Sequence, residues 1–153
     1  MRYMIIVKSV PAFEAQQEGR YAPDPQVFAE MAAYHEELAR AGVLLDGNGL
    51  KPTRRGWRMR YDGAHRTVTD GPFTESKELI AGYTLIQVAT RAEAMEWARR
   101  FPNPVGAGQP AEIEVRELFE PEDFAPAEAQ RLRAADAANN FASAVDPRPA
   151  GSS

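Results

Sequence analysis

Asp70-Gly71-Pro72-Phe73-Thr74-Glu75-Ser76-Lys77-Glu78 carries a turn, three carboxylates and one ammonium, and it runs directly into the apolar stretch 79–88. Gly71-Pro72 marks the turn: glycine accepts unusual dihedrals, and proline fixes φ and donates no backbone hydrogen bond. Before it, Arg66-Thr67-Val68-Thr69 is rich in β-branched residues and reads as a strand. After it, residues 81–88 include Tyr83, Thr84, Leu85, Ile86 and Val88, a second strand. A charged elbow therefore joins two strands. It is longer than a reversal of direction requires, so its polar residues serve either a site or a brace particular to this fold.

Trp57-Arg58-Met59-Arg60-Tyr61 alternates apolar and charged residues, and Asp62-Gly63 signals a hairpin leading back into 66–69. Residues 3–10 form a first strand, stopped by Pro11, and 12–25 read as a polar loop. Asp24-Pro25 opens a helix as N-cap and first helical residue. Val27, Met31, Tyr34, Leu38 and Ala41 recur at three- and four-residue spacing along it, and Gly42 ends it. A strand from Val43 towards Leu50 is interrupted at Asp46-Gly47-Asn48-Gly49, where a bulge or a close backbone approach is expected. Thr90 caps a second helix, stopped by Pro102-Asn103-Pro104, and residues 111–118 form the last strand. Beyond it, 119–124 are acidic and read as a linker, 126–137 as a short Ala-rich helix, and the rest as a loose tail. Strand–helix–strands followed by strand–helix–strand makes an α+β fold, an antiparallel sheet with helices on one face.

The 153 residues suit one ordinary domain; 44% are hydrophobic and 26% charged, the balance of a soluble globular protein. A net charge of -4 argues against broad nucleic-acid binding, which needs a basic surface. With no cysteine there is no disulfide, no thiolate nucleophile and no cysteine zinc site. The first apolar run is too short for a signal segment or a membrane span, so a cytoplasmic location is expected.

The elbow Asp70-Gly71-Pro72-Phe73, with Glu75, Lys77, Glu78 and Gly82-Tyr83, resembles the signature of the DGPF family, a branch of the YCII-related proteins. Gly42, Gly47, Leu50 and Pro52 before it, and Glu93-Ala94, Trp97-Ala98, Pro102 and Ile113-Glu114-Val115-Arg116 after it, extend the resemblance over residues 1–119. Residues 120–153 lie outside it. The resemblance implies a ferredoxin-like sheet that pairs into a dimeric α/β barrel, the architecture of muconolactone isomerase and many small monooxygenases. In YCII-like relatives a His early in the first helix and an Asp have been put forward as an acid–base pair. This helix offers His35 one turn nearer Gly42, with Ala32 at the matching place. Some members are linked to extracytoplasmic-function sigma factors, which implies a regulatory context.

The candidate proton carrier is Asp70, and the plainer reading makes its carboxylate an acceptor of backbone N–H groups in the turn. His35 is the second catalytic candidate, although Glu36 and Glu37 beside it also fit a surface helix position. Phe73, Glu75, Lys77, Glu78, Tyr83 and Arg116 are the candidate substrate-binding residues, Lys77 and Arg116 for an anionic end. Lys51, Arg54 and Arg55 form a basic cluster that would attract an anion or simply be solvated. His35 and His65 are separated and lack a ligand pattern, so no metal is expected, nor a cofactor. The sequence points to a cytoplasmic homodimer with a pocket for a small polar or anionic metabolite, performing isomerase- or lyase-type acid/base chemistry. No nucleic acid and no membrane partner is expected. The alternatives are a non-catalytic ligand-binding or regulatory module with a transcription-related protein partner, and an elbow that is purely structural.

Overall fold

In a computed structural model of the chain, residues 1–16, 24–74 and 77–145 are described. The chain divides into two compact units, Met1–Leu118 and Phe119–Ser153.

The first unit contains β1 (Arg2–Lys8), α1 (Pro11–Glu14), α2 (Pro25–Arg40), β2 (Leu44–Gly49), β3 (Trp57–Asp62), β4 (His65–Asp70), β5 (Ile80–Gln87), α3 (Arg91–Arg99) and β6 (Ile113–Glu117). Four strands form an antiparallel sheet in the order β2-β5-β1-β6, while β3 and β4 form a separate hairpin. Without the hairpin, the elements run strand–helix–strand–strand–helix–strand, and the middle positions of the sheet are held by the third and first strands. That is a ferredoxin-like α+β fold.

Local chemistry sets the ends of α2. The Asp24 carboxylate accepts the Gln26 N–H at 2.8 Å, and Pro25 occupies the first position. At the other end Gly42 has φ 72°, and the amides of Gly42 and Val43 donate to the carbonyls of Ala39 and Leu38. This Schellman arrangement needs a residue free of Cβ strain at that glycine. Thr90 caps α3 by accepting from the Glu93 amide at 3.2 Å.

Residues directly opposed in an antiparallel pair share a face. Tyr3, Ile5, Thr84 and Ile86 therefore lie on one side of the sheet, with Gly47 and Val115. Tyr3, Ile5 and Ile86 pack there against Tyr34 and Leu38 of α2 and Ala94 of α3, with Trp97 and Phe101 at the margin. Met4, Ile6, Tyr83, Leu85, Glu114 and Arg116 alternate onto the other side.

Four local features differ from the sequence-based expectation. Residues 12–14, read as loop, belong to α1, because Pro11 suits a helix start and Glu14 is held by partners described below. The strand β2 is not interrupted at residues 46–49: they pair with Leu85, Thr84, Tyr83 and Gly82, and the register shift falls between Leu44 and Asp46. In the second unit, α4 (Pro126–Val145) continues past Ala137 into residues read as tail, as its alanines permit. A 3₁₀ turn at Pro121–Asp123 replaces part of the expected linker, with the Glu120 amide donating to Asp123 at 2.7 Å. In this unit Arg133 donates to Glu122 at 2.8 Å and holds that carboxyl below its usual range, chiefly through the hydrogen bond itself.

Candidate functional site

His35 sits on the sheet-facing side of α2. Its Nδ1 lies 2.8 Å from the Met31 carbonyl oxygen, one turn back, and its Nε2 lies 2.9 Å from Thr84 Oγ1 on β5. A carbonyl oxygen only accepts, so Nδ1 carries a proton. The neutral ring then accepts the Thr84 hydroxyl proton at Nε2, and the charged ring donates from Nε2 to the same oxygen. Tyr34 meets the ring edge-on at 5.8 Å. Gly47 makes room for this arrangement: a Cβ there would fall 2.9 Å from His35 Nε2. The close approach anticipated in the glycine-rich stretch is real, and its cause is a side chain across the gap.

The imidazole borders a cavity of about 940 Å³, within the range of small-molecule sites. Met31 and Val27 line it from α2, Thr84 from β5, and Ser9 from the end of β1. The segment after β2 contributes Lys51, Arg54 and Arg55. These three basic residues, grouped in the sequence, thus meet His35 at one cavity. Arg54 donates to the backbone carbonyls of Glu14 and Gln16. Lys51 and Arg55 form no ion pair among the described residues.

Around this wall runs a clasp. The Glu14 carboxylate accepts from the Thr53 amide at 3.1 Å and the Thr53 hydroxyl at 2.6 Å, and the Phe73 amide donates to Thr53 Oγ1 at 3.0 Å. Gly71 lies so close to the Thr53 carbonyl that a Cβ would fall 1.9 Å from its oxygen. The Gly71-Pro72 peptide is cis, and the Phe73 ring lies 3.9 Å beneath the Arg58 guanidinium.

The expected site residues are thereby dispersed. His35 lines the cavity; Tyr83 borders it along β5, but its side chain belongs to the other side of the sheet, where its hydroxyl is occupied, donating to Asp46 at 2.8 Å and accepting from Asn48 at 3.1 Å. Asp70 pairs with Trp57 at the base of the exposed hairpin and does not line the cavity. The turn expected around its carboxylate is built otherwise, since the Gly71 amide donates to Gly56 and the Phe73 amide to Thr53. Phe73, exposed Lys77 and exposed Glu78 are also outside the lining, and Glu75 falls outside the described residues. Arg116 projects on the sheet side opposite His35, 3.6 Å from Glu114. Thr84 went unmarked in the sequence as a site residue. Its signal is a hydroxyl at an inward position of a strand whose neighbours on that face are Gly82 and Ile86. Among the described residues no group of acids and histidines is arranged to hold a metal ion.

A ferredoxin-like α+β protein with a side cavity against its first long helix is a broad class. The YCII-related domain matches residues 1–119, and the chain belongs to that family. An uncharacterised protein of Rhizobium meliloti (strain 1021) is 31% identical over 98 residues, covering 64% of this chain and 79% of its own length.

Proposed function

We propose that this protein binds a small anionic metabolite in the cavity beside His35, and that His35 rather than Asp70 carries the proton in any cofactor-free isomerase- or lyase-type step. The observation that carries the reading is the His35–Thr84 pair, seated against Gly47 in a cavity that also receives Lys51 and Arg55. An imidazole oriented by a carbonyl, with its other nitrogen on a hydroxyl, passes a proton in either direction as ligand displaces or reorients that hydroxyl. Thermal-shift measurements against carboxylates, phosphates and lactones test it. A ligand of the folded state raises Tm. The rise is expected in wild type and in Asp70→Asn, and is expected to shrink in His35→Gln. A rise abolished only by Asp70→Asn would return the site to the elbow.

The same proposal includes a homodimer closed through the sheet side that bears Met4, Ile6 and Leu85, giving the dimeric α/β barrel. These apolar side chains on the face away from α2 support it. Sedimentation of a monomer at micromolar concentration would contradict it.

A second reading is favoured by the clasp at Thr53. In it the elbow is a structural brace, a reading distinct from that of a non-catalytic ligand-binding or regulatory module with a transcription-related partner. Ligand binding with no chemical change in any bound compound would favour the module.

A further inference from the structure

We infer that the ligand of this cavity is an amphipathic monoanion, a single carboxylate on an apolar body, and not a small polyanion. The inference deepens the metabolite reading above and rests on it. The apolar part of the wall is contributed by separate elements: Phe13 of α1, Val27, Phe28 and Met31 of α2, Ile80 of β5, and Phe101 after α3. Phe28 is 63% exposed, a large cost in water that an apolar ligand body would relieve. A compact, fully hydrated ligand would leave that wall unmatched.

The polar wall limits the charge. Lys51, Arg54 and Arg55 oppose Glu14 at the same cavity. Arg54 is engaged by two backbone carbonyls, which leaves Lys51 and Arg55 to meet an anion. The Glu14 carboxylate remains nearby, tied to Thr53, and repels a second negative charge. One carboxylate satisfies the two cations without confronting Glu14.

The test is isothermal titration of the full chain with acetate, butanoate, hexanoate and octanoate, with hexanol and inorganic phosphate alongside. Affinity is expected to rise about fourfold per added methylene, the burial of one CH₂. Hexanol is expected to bind about tenfold more weakly than hexanoate, and that gap to close in the double variant Lys51→Gln/Arg55→Gln. Phe28→Ser should flatten the chain-length slope, while Trp57→Ser, on the exposed hairpin, should leave it intact. Acetate and phosphate binding as well as octanoate would overturn the inference and leave the metabolite reading standing. No binding of any anion would overturn both. A slope that survives Phe28→Ser, or is lost in Trp57→Ser, places the chains outside the cavity and overturns it.

Discussion

Gly47 lacks a side chain where one would strike His35, and this single absence leaves room for the His35–Thr84 contact. In Gly47→Ala the new Cβ meets Nε2 at 2.9 Å, so the imidazole must swing off Thr84 or the strand must shift. We expect a destabilisation of about 1–3 kcal/mol, read as a lower Tm, and loss of ligand response. Adding His35→Ala should recover most of the stability without the response. Tyr34 provides a pH test of the same helix. Burial pushes its phenol up from 10.0 to about 12, with Arg100 opposing and Glu37 reinforcing, and its hydroxyl donates to the Trp97 carbonyl at 2.8 Å. The folded state thus favours the protonated phenol. Its contribution, on the order of 2 kcal/mol, is complete below pH 10 and disappears as pH rises through about 12. Tyr34→Phe should be less stable at neutral pH but lose less across that alkaline window, measured by denaturant midpoints. His35 itself was legible: it follows Met31 by four residues on the apolar stripe. Its acidic neighbours obscured it, and the space opened by Gly47 on a distant strand leaves no periodic trace.

The elbow acts at the scale of elements. Gly71, Phe73, Thr53 and Glu14 tie the β4–β5 connection to α1 and to the segment that brings Lys51 and Arg55 to the cavity. Gly71→Ala would drive a Cβ into the Thr53 carbonyl. We expect it to be the most destabilising single change in the connection, above about 3 kcal/mol or insoluble. Thr53→Val keeps the shape and removes the hydroxyl bonds to Glu14 and Phe73, so a loss of about 1–3 kcal/mol is expected by chemical denaturation. If Gly71→Ala proved neutral, the clasp would not hold the elbow. The helix caps at Asp24, Gly42 and Thr90 and the turn at Gly63 were readable because each is fixed by a residue's own dihedrals or oxygen. Asp70 could not be placed that way. It is absent from the cavity lining and takes its place in the hairpin register opposite Trp57, a pairing that composition does not reveal.

For the whole molecule, an α+β fold with an antiparallel sheet was legible from the alternation of strands and helices, its ferredoxin-like form was implied by the family resemblance, and the position of the hairpin outside that sheet was not legible. Its pattern of Trp57, Met59 and Tyr61 reads as a half-buried strand, yet all of its residues are exposed in the single chain. Alternation reports that one face is apolar and leaves open what that face meets. The two histidines make the central claim directly measurable: His35 borders the cavity, while His65 begins β4 on the exposed hairpin. The decisive measurement is the NMR imidazole spectrum of the intact protein titrated with hexanoate. The His35 resonances are expected to move saturably while those of His65 stay fixed. A saturable carboxylate interaction, seen independently by calorimetry, that left His35 unmoved, or that moved His65 alone, would contradict it.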